Sequence, residues 1–386
     1  MNNQSVIRTA HSCLSQPEQA IEQLVAELLQ PDTVLVILFC SNTYDRAILA
    51  AEIKRRFTDV QVIGCTTAGE IGGKGLCQQS MVGVSFSGKV FTTVSCLMDN
   101  LQQFKMRDGH SAAKQLLQEL QIKVPQLSPE NCFGFLLIDG LSVREEPVTH
   151  AVQSELGHIA MIGGSAGDDM LFHNTHVLFN GDFYADSAIL LLLHTTLPFK
   201  IFKTQHFEPT SERLVVTLAD VGQRIVHEIN GLPAAPEYAR LIGVPLESLG
   251  PQHFAAAPVV VSIDSNYYVR SIRCVNDDGS LTFYCAIEEG LVLRVAKTVD
   301  PIDNLNKAFA EVRTEIGRPL LTLACDCVLR KYEIMQRGLD AQVEQIFFDN
   351  QVVGFNTYGE QFRGVHVNQT FAAVAIGSAD RIHQHD

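Results

Sequence analysis

The sequence predicts an α/β protein of repeated strand–helix–strand–turn–strand units, with mixed sheets and helices packed outside. Two observations carry that prediction. A short pattern recurs three times, as Thr67-Ala68-Gly69-Glu70, Ser165-Ala166-Gly167-Asp168 and Thr357-Tyr358-Gly359-Glu360. Each copy has a hydroxyl residue, a spacer, a glycine and a carboxylate. Each follows an apolar pair and a glycine: Val62-Ile63-Gly64, Met161-Ile162-Gly163 and Val352-Val353-Gly354. The flanks recur as well. Strand-like runs at 34–39, 133–138 and 320–324 lead into helical patterns at 46–56, 145–156 and 340–347. Strands at 81–87, 188–194 and 370–376 follow the turns. These strands are apolar on both faces, so both faces must be covered.

The glycines suit a tight turn where backbone crosses backbone. Strand, helix and second strand in that order predict a parallel crossover, with the strand after the turn running antiparallel. Around these units, Ser15 ahead of Pro17 and Glu18 reads as the cap of a helix reaching residue 29. Further helices are expected at 111–121 and 304–316, the second capped by Asp303. Strands at 214–217 and 224–229 run into an Asn230-Gly231 turn and a helix at 235–242. The runs 258–263, 267–275 and 281–286 read as an antiparallel meander turning at Asp277-Asp278-Gly279. The Pro-, Gly- and Ala-rich stretch 243–257 reads as a linker. The expected organisation is an N-terminal extension (1–30), a domain of two units (31–230), a domain of meander plus third unit (231–378) and a polar tail (379–386).

Apolar residues make up 46% of the 386, against 19% charged, which is enough for a sizeable core. A formal charge of −14 argues against nucleic acid and anionic membrane surfaces, whose phosphates it would repel. No secretory signal is read at the N-terminus, and the longest apolar run, 188–193, is too short to span a bilayer. The ten cysteines form no CxxC pair; Cys325-Asp-Cys327 is the closest approach. They read as reduced thiols of a cytoplasmic protein, without a structural zinc site.

Gly163-Gly164-Ser165-Ala166-Gly167 matches the GxSxG nucleophile elbow, but that motif needs a helix directly after the serine. Here a loop and a strand follow, so Ser165 reads as a turn residue and no catalytic residue is assigned. The carboxylates Glu70, Asp168, Asp169 and Glu360 read as caps of nearby backbone N–H groups rather than a cation site. Thirteen histidines offer no zinc motif, and His383 and His385 sit in the polar tail. His206 lies among Phe199, Ile201, Phe202 and Phe207, which is what a single-histidine haem site needs; Lys200 and Lys203 are placed to reach propionates. A hydrogen-bonded strand histidine is the other reading of the same pattern. His173, His176 and His366 are reserve ligands.

Together these turns, with Glu228-Ile229-Asn230-Gly231-Leu232-Pro233-Ala234 and Tyr238, make 34–377 resemble the FIST family of sensory domains. Phe202-Lys203-Thr204-Gln205-His206-Phe207, Pro209-Thr210 and the opening Arg8-Thr9-Ala10-His11-Ser12 resemble the nitric-oxide-sensing FIST haem proteins of bacteria. That resemblance implies haem b on His206, walled by Phe202 and Phe207 with Lys203 nearby. It also implies nitric oxide as ligand and a histidine kinase or cyclic-di-GMP enzyme as partner in trans, since no transmitter is read in this sequence. A homodimer is also expected. The alternative is a sensor or enzyme for a small metabolite, with the glycine turns lining its pocket. The haem reading expects His206→Ala to lose haem and keep its fold.

Overall fold

In repeat one, alternate residues of a single strand serve two cores. Leu35, Ile37 and Phe39 point into a central core, while Val36, Leu38 and Cys40 pack beneath helices. Phe133, Phe135 and Leu137 are matched by Leu136 and Ile138 in the second repeat, and Leu323 and Cys325 by Ala324 in the third. That double burial accounts for the unbroken apolar runs. The computed structural model describes residues 5–263 and 266–379, so His383 and His385 lie outside the described residues, as do all but the first residue of the expected tail.

Repeat one comprises β1 (Ile7–Ser12), α1 (Pro17–Leu28), β2 (Thr33–Ser41), α2 (Arg46–Arg56), β3 (Gln61–Thr67), β4 (Glu70–Gly72), β5 (Gly75–Cys77) and β6 (Met81–Ser87). Repeat two follows the same order: β7 (Phe91–Met98), α3 (Met106–Lys123), β8 (Cys132–Ile138), α4 (Glu145–Leu156), β9 (Met161–Ser165), β10 (Val177–Phe179), β11 (Asp182–Tyr184) and β12 (Ala188–Thr195). The strand and helix of the stretch expected as an N-terminal extension are the first two elements of a repeat. β1 pairs with β6, and α1 covers the sheet those strands join.

Repeat three opens with β13 (Phe199–Thr204) and is then interrupted. The insertion holds β14 (Phe207–Asp220), β15 (Ile225–Ile229), β16 (Leu232–Pro233), α5 (Ala234–Ile242), α6 (Pro251–Ala256), β17 (Val259–Ile263), β18 (Asn266–Arg270), β19 (Ile272–Val275), β20 (Leu281–Phe283) and β21 (Val292–Thr298). The repeat resumes with α7 (Pro301–Ile316), β22 (Leu321–Cys327), α8 (Val328–Gln336), α9 (Asp340–Asp349), β23 (Val352–Thr357), β24 (Glu360–Phe362), β25 (Val365–Val367) and β26 (Phe371–Ile376). The expected linker at 243–257 is instead part of the insertion's core: it contains α6, and Phe254 is fully buried. Asp300, not Asp303, caps α7, accepting from the Ile302 and Asp303 N–H groups.

Each repeat builds four strands of its own sheet and lends its hairpin to another. The sheet orders are β1-β6-β2-β3-β10-β11, β7-β12-β8-β9-β24-β25 and β13-β26-β22-β23-β4-β5. Repeat one thus lends β4–β5 to the third sheet, the third lends β24–β25 to the second, and the second lends β10–β11 to the first. Within each sheet the crossover pair is parallel and the strand after the hairpin returns antiparallel. The three inner faces meet in the central core, where Phe39 and Phe355 stack at 4.5 Å. The insertion makes a fourth sheet, ordered β18-β17-β21-β14-β15-β20-β19, with its own apolar cluster.

The first glycine of each recurrent motif has a steric reason. A Cβ on Gly64 would lie 1.9 Å from the Leu38 carbonyl oxygen, on Gly163 2.1 Å from that of Leu136, and on Gly354 1.9 Å from that of Ala324. Backbone cannot move aside there without breaking the parallel ladder. Gly64→Ala, Gly163→Ala and Gly354→Ala should each cost about 3 kcal/mol, at the upper end of overpacking penalties. Gly73→Ala, with open space around its Cβ, should cost under about 1 kcal/mol. Urea unfolding of the four variants checks this; equal midpoints would refute the steric account.

Candidate functional site

The three turns bond to one another as the hairpins cross between sheets. Ala68 donates to the Asn356 carbonyl and Asn356 to that of Gly69; Ser165 donates to Gly359 and Tyr358 to Ser165; Gly167 donates to Thr66. In two copies the motif carboxylate does the same work. Glu70 pairs with the Thr67 hydroxyl and accepts from Ser80 N–H (3.1 Å) and Oγ (2.8 Å). Glu360 pairs with Thr357 and accepts from Thr370 N–H (3.1 Å) and Oγ1 (2.7 Å). Burial raises Glu70 to about 7 and Glu360 to about 8. The middle copy differs, because an excursion separates its turn from its hairpin. Asp168 closes that excursion by accepting from the N–H groups of Phe172, His173 and Asn174, and Tyr358 donates its hydroxyl to it. These three carboxylates serve turns, as capping groups do. Asp169 stands apart, half-buried with Ser41 at 3.4 Å.

The third hairpin departs from the first at the positions that matter. Pairing registers align Ile71↔Leu76 of β4–β5 with Gln361↔His366 of β24–β25. An apolar pair in one hairpin is a buried polar pair in the other. Gln361 Nε2 bonds Ser165 Oγ at 3.0 Å and His366 Nδ1 at 3.3 Å. The space a Cβ of Gly359 would fill is occupied instead: His366 Nε2 is 2.7 Å and Asn368 Nδ2 3.0 Å from that point. Burial holds His366 below its usual pKa against the pull of Glu146 and Glu145, while Arg224 and Arg270 push it further down, so the imidazole is neutral.

The insertion supplies the facing wall. Arg270 Nη1 reaches the His366 carbonyl at 3.4 Å, Ser271 N lies 3.5 Å from Asn368 Oδ1, and Tyr284 N donates to the Ser271 carbonyl. Arg224 ties this wall to the start of α4 through Glu145 (2.7 Å) and Glu146 (2.5 Å), and Glu146 accepts from Ala286 N–H. Six buried polar atoms here have no hydrogen-bond partner among the described residues: Gln361 Oε1, His366 Nε2, Asn368 Nδ2, Arg270 Nε, Ser271 Oγ and Tyr284 OH. An unpaired buried polar atom costs roughly 1–3 kcal/mol. Six together rival the stability of a whole domain, about 5–15 kcal/mol. With Gln361 donating to Nδ1, His366 carries its proton on Nε2. Donors therefore outnumber acceptors, and the cluster suits an acceptor-rich small molecule.

The expected haem residues are not one pocket. His206 is fully buried, with Nε2 2.7 Å from Glu333 and Nδ1 3.1 Å from Arg330. Arginine only donates, so Nδ1 accepts and Nε2 carries the proton given to Glu333. No lone pair is left for iron. Arg330 also binds Asp326 at 2.8 Å, and Glu333 binds Arg337 at 2.9 Å, making one buried charged chain. Phe202 packs outside the site on Phe309 and Phe371; Phe207 stacks on His206 at 4.4 Å and joins the insertion's Val260 and Val269. Lys203 faces the other way, into a groove of about 520 Å³ with Tyr268, Asn304 and Phe362 and no histidine in its lining. Lys200 pairs with Glu315. As arranged, these residues do not fit a haem. Of the reserves, His173 is exposed and His176 half-buried at the excursion; only His366 lies in the polar junction. The signal for that junction was in the sequence: Glu360-Gln361-Phe362-Arg363-Gly364-Val365-His366 set beside Glu70-Ile71-Gly72-Gly73-Lys74-Gly75-Leu76 shows the polar exchange. Ser165 meets no base directly, consistent with its reading as a turn residue.

Comparison with known proteins gives two family matches, a FIST N domain over residues 34–232 and a FIST C domain over residues 234–363. An uncharacterised protein of Methanocaldococcus jannaschii is 23% identical over 334 residues, covering 78% of this chain and 64% of that protein. The chain thus spans a little under two thirds of the length of the curated relative it matches. Among solved structures, a cyanuric acid hydrolase from A. caulinodans aligns over 97% of this chain and 99% of its own, at 10% identity and TM-score 0.36. A chorismatase aligns over 96% and 97%, at 6% identity and TM-score 0.36. At those scores neither carries an argument about this chain.

Two outcomes follow from the buried charges. Removing His206 leaves Arg330 and Glu333 short of a partner, so His206→Ala should destabilise the fold by on the order of 3 kcal/mol. Chemical denaturation checks this; a loss under about 1 kcal/mol would restore the pocket reading. Glu70 and Glu360 have folded pKa values above the unfolded value, so they bind more protons folded than unfolded. Their contribution is complete below about pH 4.5 and is lost as pH rises through about 7 to 8. The unfolding midpoint should fall across that window, and the fall should flatten in the Glu70→Gln/Glu360→Gln variant, whose amides mimic the protonated acids.

Proposed function

We infer that this chain, which belongs to the FIST family of sensory signal-transduction domains, senses a small acceptor-rich molecule at the junction of its third hairpin and its insertion. The observation that carries this is the set of six unpaired buried polar atoms, on residues that hydrogen-bond to one another through their other groups and come from two parts of the fold. A short-chain carboxylate fits their chemistry: Arg270, Asn368, His366, Ser271 and Tyr284 all offer hydrogens, in a site where burial strengthens each bond. Binding would pin the insertion to the repeats through Arg270 and Ser271 on one side and His366 and Asn368 on the other. Family domains of this kind are sensory rather than catalytic, and the junction holds no nucleophile paired with a base.

Haem b with nitric oxide is the finer form of the sensor reading. It would require His206 to leave both Arg330 and Glu333, and for that reason we favour the polar junction. Output is proposed to pass to a separate signalling protein, a histidine kinase or a cyclic-di-GMP enzyme, from a chain able to form a homodimer. No helix among the described residues is long and apolar enough to cross a membrane.

The test uses acetate, malonate and citrate, with acetamide as the neutral control. At least one carboxylate should raise the thermal midpoint of the wild type in a saturable way, and His366→Ala and Arg270→Gln should each abolish the shift. The reading is overturned if no carboxylate shifts the midpoint, or if the shift survives both substitutions. Haemin added to the same protein should give no stoichiometric Soret complex. A stoichiometric complex lost in folded His206→Ala would replace this reading with the haem sensor.

A further inference from the structure

A second site lies beside the hairpin that repeat one lends to the third sheet. His11, at the end of β1, and Cys13, just beyond it, face Cys77 at the end of β5. One ligand atom from each lies within 4.8 Å of the other two, and His11 Nε2 is 3.9 Å from Cys13 Sγ. A tetrahedral zinc ion with Zn–S near 2.3 Å and Zn–N near 2.0 Å holds its ligand atoms about 3.5–3.8 Å apart. One edge of that tetrahedron is nearly formed, and side-chain rotation closes the rest. We propose that His11, Cys13 and Cys77 form a zinc site with a fourth position open to solvent beside the exposed Cys13. This is independent of the ligand junction.

Two observations converge on it. The donor set, two thiols and an imidazole, is that of borderline-soft zinc. The scaffold does not require these residues. In the edge strands of the three repeats, register places His11 opposite Val82, Lys203 opposite Ala372 and Leu97 opposite Ile189, each the second residue of its returning strand. The corner that carries His11, Cys13 and Cys77 in repeat one carries Lys203, Gln205 and Val367 in repeat three. A fold that tolerates such different corners has no packing need for two thiols and an imidazole at one of them.

The site is also tied to the hairpin lent to the third sheet. His11 Nδ1 accepts from Lys74 N–H at 3.2 Å, and Nε2 lies 3.2 Å from Ser80 Oγ. Zinc on Nε2 moves the ring proton to Nδ1, so the Lys74 amide must turn away. Gly73-Lys74-Gly75 is the hairpin tip, and the adjoining Leu76 N–H is held by Glu344 of α9 at 2.9 Å. Zinc binding therefore re-sets the tip against the third repeat. Sequence spacing hid the set, because Cys77 is far from the His11-Ser12-Cys13 pair along the chain.

Reduced full-length protein, stripped with chelator, is titrated with zinc against a chromophoric competitor, and separately with cobalt. Wild type should take one ion per chain, and its cobalt complex should show thiolate-to-metal charge transfer with tetrahedral d–d bands. Cys13→Ser and Cys77→Ser should each lose that charge transfer and most of the affinity. Cys13 is exposed, so Cys13→Ser reads the site even if His11→Gln or Cys77→Ser fails to fold, as checked by circular dichroism. The proposal is overturned if reduced wild type takes up no zinc, if the double cysteine variant binds as tightly as wild type, or if the cobalt spectrum lacks thiolate character.

Discussion

Backbone passing against backbone at Gly64, Gly163 and Gly354 is the constraint on which the structure rests. Each glycine lies inside the crossover strand of its repeat, ahead of the hairpin lent to another sheet. A side chain at any of the three would hold the parallel pair apart within its ladder. Because the lending is cyclic, no repeat completes its own sheet. In each sheet the free side of the crossover strand, β3, β9 or β23, is covered by a borrowed hairpin instead of exposing unpaired N–H and C=O groups. The recurrent hydroxyl and carboxylate then tie the lent hairpin to the returning strand, as Thr67, Glu70 and Ser80 do in one repeat and Thr357, Glu360 and Thr370 do in another.

The sensing site we propose lies where this three-fold likeness is broken. The first and third hairpins share their turn, their left-handed Gln79 and Gln369 and their bonded carboxylates, yet one carries Ile71 and Leu76 where the other carries Gln361 and His366. Burying an amide and an imidazole in place of two aliphatic side chains is unfavourable unless something pairs with them. The insertion meets the molecule at this polar hairpin, bringing Arg270, Ser271 and Tyr284 toward it and anchoring itself through Arg224 to two glutamates of α4. A sensor needs a part that can be re-set against another, and the insertion facing the repeats across an incompletely bonded polar surface is such a part.

At His206 one local pattern admits two readings. A histidine among phenylalanines reads equally as a haem wall or as a packed strand end, since both need an apolar surround. Which one holds depends on α8, more than a hundred residues later, whose Arg330 and Glu333 take both ring nitrogens. Phe202 and Phe207, close along the chain, pack into different clusters because the strand ends between them and the insertion begins.

Much was legible in the residues alone. The triple turn, the crossover pairs and the returning strands follow from local period and from glycines whose need is set by nearest backbone, and the family follows from the same motifs. Hairpin lending was not legible, because a three-residue strand pairs equally well with any free edge and only the assembled sheets select one. That the leading strand and helix belong with repeat one was not legible for the same reason, β1 being defined by its bonds to β6. The polar junction was half visible: Gln361 and His366 could be read against Ile71 and Leu76. Their meeting with Arg270 and Tyr284, like that of His11 and Cys13 with Cys77, is a matter of distance across the fold, which chain order does not encode.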